Sequence, residues 1–111
     1  MHVTITARHC EIPEELRLRA RTLLERLCKV AVRPHDGQVT FTADHGSPRV
    51  EVRLHAARGV VHVGRAEGPD HRSALDRAVA RVRRQLDKAL PRKTRRRRRA
   101  TARSVLEREP R

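Results

Sequence analysis

Arg77, Arg81, Arg84 and Lys88 recur at spacings of four, three and four residues. At about 100° per residue these positions fall within about 60° of one another on a helix, so one face would carry four cations in line. Such a ridge recognises anions: guanidinium forks pair bidentately with phosphate oxygens, and a row of cations tracks a phosphate backbone. Arg72 and Arg83 stand on its flank, and only Asp70, Asp76 and Asp87 dilute the positive charge over the same stretch. An ordinary solvated helix face is the bland alternative. It is weakened because unrelieved like charges four residues apart repel, and surfaces shaped by stability alone intersperse acids. A second basic feature is the unbroken run Arg95, Arg96, Arg97, Arg98 and Arg99.

Seven histidines invite a metal site or an acid–base centre. The best pair, His55 and His62, would face each other across a hairpin, but two ligands without a third near neighbour make a weak metal site. No nucleophile elbow, Gly-rich phosphate loop or HExxH is present. Glu14 and Glu15, like Asp70 and Asp76, suit positive helix ends better than paired-carboxylate catalysis. Cys10 and Cys28 have neither metal-ligand nor CxxC spacing and read as reduced, inert thiols. The expectation is a protein that is not an enzyme and takes no cofactor, metal or small-molecule substrate.

The chain has 111 residues, the size of one domain, and sets 27 Lys+Arg against 13 Asp+Glu for a net charge of +14. Residues 1–90 contribute +6 of this and residues 91–111 contribute +8. Apolar residues still make up 37%, enough for a folded body carrying a strong positive field. Arginine outnumbers lysine 24 to 3, which supplies bidentate phosphate contacts in quantity. Phe41 is the one Phe, Tyr or Trp, so base stacking on aromatics is excluded, and recognition should rest on the shape and backbone of folded RNA. No apolar stretch approaches the roughly 18 to 20 residues of a membrane span, and the N-terminus lacks a signal-peptide core. A cytoplasmic protein without membrane partners is expected.

Periodicity supplies the elements that must hold the ridge. Val3 to Ala7 alternate apolar and polar residues as a short strand. Ile12-Pro13-Glu14-Glu15 opens a helix with Pro13 at its first position, and Leu16, Ala20, Leu23, Leu24 and Leu27 form its apolar stripe, with Leu18 on the opposite side. Val39, Phe41 and Ala43 mark a second strand, and Val50, Val52, Leu54 and Ala56 a third. A tight turn at Arg58-Gly59 would pair Leu54 with Val63, Ala56 with Val61 and His55 with His62. A second helix follows Gly68-Pro69-Asp70, with Leu75, Ala78, Val79, Val82, Leu86 and Leu90 inward and Pro91 as its stop. The order β-α-β-β-β-α predicts an α+β two-layer sandwich, a four-stranded sheet with two helices on one face, resembling a double-stranded-RNA-binding-like fold. Residues 1–90 would form this domain and residues 91–111 a flexible basic tail.

Ile5-Thr6-Ala7-Arg8, Ile12 with Leu16-Arg17, Val50-Glu51-Val52 and Gly59 resemble the ribosome hibernation promoting factor and ribosome-associated inhibitor (protein Y) family. The most specific match is Asp70, Ala74-Leu75-Asp76, Ala78, Arg81, Gln85-Leu86 and Lys88, the spacing of that family's second helix. The resemblance covers roughly residues 2–90 and leaves the tail unmatched. Arg72 stands where the family usually has Tyr, and Ala80 and Arg83 stand where it is often acidic. Long members carry a further dimerisation domain, so this chain resembles a short form. The resemblance implies a translation inhibitor that binds the small ribosomal subunit in the channel of messenger and transfer RNA. It assigns Arg77, Arg81, Arg84 and Lys88 to ribosomal RNA phosphates, with Arg8 and Arg83 as neighbours. The Arg95 to Arg99 run, which the resemblance does not reach, is expected from its charge alone to extend along the RNA. The free protein is expected to be monomeric. The other reading of the same charge is a general RNA- or DNA-binding protein without ribosome specificity.

Overall fold

A computed structural model of the chain describes residues 2–31, 33–44 and 46–89. The elements follow the expected order: β1 (His2–Arg8), α1 (Glu14–Val30), β2 (Asp36–Asp44), β3 (Ser47–His55), a 3-10 turn (Ala57–Gly59), β4 (Val61–Glu67) and α2 (His71–Ala89). Pro91 and the arginine run from Arg95 to Arg99 lie outside the described residues. Pro13 caps α1 from just outside the helix instead of occupying its first turn; its carbonyl accepts the Leu16 and Arg17 N–H groups at 3.0 and 3.1 Å. Asp70 caps α2, its carboxylate accepting the Ser73 N–H at 2.7 Å.

The strands lie in the order β1-β2-β3-β4. β1 runs parallel to β2 because α1 carries the chain back between them, whereas β2, β3 and β4 form an antiparallel meander. Alternation sends Val39, Phe41, Val50, Val52, Leu54 and Ala66 to one face, where they join Ala20, Leu24 and Leu27 of α1 and Ala74, Leu75, Ala78, Val82 and Leu86 of α2 in one buried cluster. Two glycines admit the helices to that face. A Cβ on Gly37 would lie 2.6 Å from a Leu24 methyl of α1, and one on Gly64 would lie 2.3 Å from the Ala78 carbonyl oxygen of α2.

The second hairpin departs from the expected register. Leu54 pairs with His62, His55 with Val61 and Arg53 with Val63, one residue away from the pairing that alternation suggested. The expected two-residue turn is instead a three-residue loop, closed by the Ala56 N–H bonding the Val60 carbonyl at 2.8 Å, with Arg58 and Gly59 at φ of 64° and 70°. A one-residue slip exchanges the faces of a strand. His62, Gly64 and Ala66 therefore point inward, and Val61, at 41% exposure, stays on the open face. Close approach of α2 explains the choice: this strand must offer the helix its smallest residue, and Gly64 meets that demand where Val63 would not.

Candidate nucleic-acid interface

The helix-covered face of the sheet is apolar, and the charges lie on the outer faces of both helices and on the open face, with α1 mixing acids and bases and α2 mostly basic. Each acid near α2 already has a partner. Asp70 caps the helix, Asp76 takes a forked pair of hydrogen bonds from Arg19 of α1, both 3.1 Å, and Asp87 lies 3.7 Å from Arg83 one turn earlier. Asp76 thus ties the two helices together, a role other than the helix-end one expected of it. Arg83, a sequence-predicted contact, is held on the flank by its own ion pair.

The ridge residues divide into two kinds. Arg77 donates to the Glu67 carbonyl at 2.8 Å, Arg81 donates to the Arg65 carbonyl, and Gln85 both donates to the Val63 carbonyl at 2.6 Å and accepts the Val63 N–H at 3.1 Å. Spaced by four residues on α2, these three side chains meet alternate residues of β4 on its unpaired edge. Arg77 and Arg81 are therefore not simply solvent-facing: one guanidinium nitrogen of each anchors the sheet, and the rest of each exposed side chain faces outward. Arg84 and Lys88 are exposed and make no hydrogen bond or ion pair among the described residues.

Arg65 of β4 joins them. Arg65, Arg81, Arg84 and Lys88 surround a shallow groove whose other lining residues are Val63 and Gln85, so four cations converge with no carboxylate in the lining. A second hollow opens on the uncovered face of the sheet, where Arg8, Arg49, Arg65 and Arg81 lie around Thr40 and Thr42 together with the carboxylates of Glu51 and Glu67. Arg65 and Arg81 border both hollows, so the groove on α2 adjoins a mixed surface that reaches Arg8 on β1, in which Glu51 pairs with Arg65 at 3.0 Å and Glu67 with Arg49 at 3.0 Å. Arg65 and Arg49 escaped sequence reasoning because the assumed hairpin register was wrong and because strand arginines gather only through pairing. Their outward alternation with Val50, Val52 and Ala66 was the signal that could have found them.

Carboxylates organise the open face. Burial alone would raise the Glu51 carboxyl, but Arg65 and Arg53 donate to it at 3.0 and 3.1 Å and together hold it below its ordinary value. The N–H of Ser73 likewise holds Asp70 low. Both groups bind protons less readily in the folded than in the unfolded state. Their stabilisation is complete above the ordinary carboxylate range and is lost as pH falls through the depressed folded-state values. Thermal melts in increasingly acidic buffer should therefore show Glu51→Gln with a shallower acid limb than the parent; an unchanged limb would remove Glu51 from this role.

The expected histidine pair does not assemble. His55 and His62 fall on opposite faces, with His55 3.7 Å from Asp36 and His62 in the interior. Among the described residues no group of three His, Cys, Asp or Glu side chains is placed to hold a metal ion. The Cys10 thiol lies 3.6 Å from the Phe41 carbonyl, and burial pushes the Cys28 thiol up. No helix among the described residues is long and apolar enough to cross a membrane.

The fold is shared with known structures. The N-terminal domain of Thermus thermophilus Protein Y superposes with a TM-score of 0.66 at 24% identity, over 78% of this chain and 96% of that one. A ribosomal subunit interface protein from Coxiella burnetii superposes with a TM-score of 0.67 at 19% identity, over 79% and 96%. No curated protein sequence matches the chain. The family described as sigma 54 modulation protein / S30EA ribosomal protein matches residues 3–96, which spans every element from β1 to α2. The chain belongs to that family, the ribosome hibernation family that its strand and helix motifs resemble.

Proposed function

We propose that this protein binds the small ribosomal subunit in its messenger and transfer RNA channel and idles translation by occupying it, with no chemical step of its own. The observation that carries the reading is the groove between β4 and α2, where Arg65, Arg81, Arg84 and Lys88 converge without an acid. Arg65 is already paired with Glu51, but Arg81, Arg84 and Lys88 have no acid partner among the described residues, and RNA phosphates would supply the missing counter-charge with affinity driven by counterion release. Family membership favours ribosomal RNA as that polyanion, and a chain of the same fold is described as a ribosomal subunit interface protein. Such a protein works in the cytoplasm. Arg8, Arg77, Arg81, Arg84 and Lys88 would contact phosphates, with Arg83 at the margin and the run from Arg95 to Arg99 extending along the RNA.

The absence of surface aromatics makes shape and backbone the means of recognition. Competition tests the assignment. The protein should remain on vacant ribosomes, and on isolated small subunits, in the presence of a large mass excess of unrelated duplex RNA. Loss of ribosome binding to that competitor would favour the general nucleic-acid binder, for which the +14 charge alone suffices.

A further inference from the structure

The sheet has two edges, and they are treated differently. Along β4, Arg77, Arg81 and Gln85 occupy the carbonyls of Glu67, Arg65 and Val63, so α2 covers that edge. β1 forms the other edge and pairs with β2 alone among the described residues. Its inner residues, Val3 to Ala7, contain no proline and no charge and run in unbroken register, so the only edge-blunting charge is Arg8 at the strand's end. Beside it α1 presents Leu18 at 55% exposure, opposite the buried stripe of that helix. Leu18 and Ile5 line a shallow groove rimmed by Glu14, Arg17 and Arg21.

We propose that this edge pairs with β1 of a second copy of the chain, antiparallel about Ile5, to join two four-stranded sheets into one. The strand is self-complementary in that arrangement. Ile5 opposes Ile5, Val3 opposes Ala7 and Thr4 opposes Thr6, which keeps the apolar set on the helix-covered face and the threonines on the open face. The two α1 helices then lie side by side in opposite directions. Centred near Leu18, that arrangement sets Glu14 of each copy toward Arg21 of the other, twice by symmetry, while the two Leu18 side chains close over one another. This dimer replaces the free monomer expected from the sequence. The basic groove at β4 lies on the far edge of each sheet and stays open.

Sedimentation of the full chain, freed of RNA by nuclease and high salt, should show a monomer–dimer equilibrium between micromolar and millimolar concentrations. Leu18→Glu should abolish it with the circular dichroism spectrum unchanged. Glu14→Arg and Arg21→Glu should each raise the dissociation constant by about tenfold or more, an effect of about 1.4 kcal/mol, because each homodimer then sets like charges against one another. Mixing these two variants should restore association, since opposite charges meet again at both symmetric positions. A full chain that stays monomeric throughout would overturn the proposal, and so would a mixture no tighter than either variant alone. Hydrogen-exchange protection of β1 that does not rise with concentration would also overturn it, by assigning the edge to the chain's own residues 90–111.

Discussion

Gly64→Ala should cost the domain about 3 kcal/mol, at the upper end of what overpacking a core usually does. The new methyl would sit 2.3 Å from the Ala78 carbonyl oxygen and 2.9 Å from a Val82 methyl, and the first of these is backbone that can retreat only if α2 moves off the sheet. In a domain whose whole stability is of the order of 5 to 15 kcal/mol, that loss should lower the melting temperature by more than about 10 °C. Gly46→Ala is the control. It meets nothing within 4 Å and suffers only from its φ of +76°, so it should cost about 1 kcal/mol. Equal effects from the two substitutions, read by thermal and urea unfolding, would show that the helix does not rest on Gly64.

Reversing Arg84 and Lys88 together to Glu should weaken binding to small subunits by at least about 100-fold at moderate salt. Each charged hydrogen bond to phosphate is worth about 1.5 kcal/mol or more, and each lost contact should also remove about 0.7 to 0.9 from the slope of log affinity against log salt. These two positions isolate binding from folding because neither side chain is engaged within the described protein. Adding Arg77→Glu and Arg81→Glu should abolish co-sedimentation, but it should also loosen β4, whose carbonyls those arginines hold. Unfolding curves for the double and quadruple variants separate the two effects. Undiminished ribosome binding by the double variant would sink the assignment of this groove.

Periodicity revealed the elements because each signal is local. Leu75, Ala78, Val82 and Leu86 recur at helical spacing, and they line the core as that spacing requires. Val39 and Phe41 alternate, and they point inward together. The hairpin register was hidden because it is decided through space. Val61 and Val63 are the more apolar residues of β4, yet the strand turns Gly64 inward to fit the helix that follows, at Ala78. The same limit affected the basic surface. Helical spacing brought Arg77, Arg81, Arg84 and Lys88 into line, but the anchoring of Arg77 and Arg81 and the arrival of Arg65 depend on where β4 meets α2. The flank position of Arg83 was legible from helical spacing, and its ion pair with Asp87 follows from the same four-residue spacing.

The parallel pairing of β1 has a consequence for how the chain acquires its shape. Every β1 residue meets a partner 34 positions later, beyond the whole of α1, whereas β2, β3 and β4 meet across short turns. Closing the longer loop costs more chain entropy and delays the contacts that repay it. Of the four strands, β1 is made before the meander it pairs with and should be the last to find its place, which pulse-labelled hydrogen exchange during refolding would show as late protection of Val3 to Ala7. In the finished protein the same strand should be the first to open, since fewer local contacts bind it to the rest.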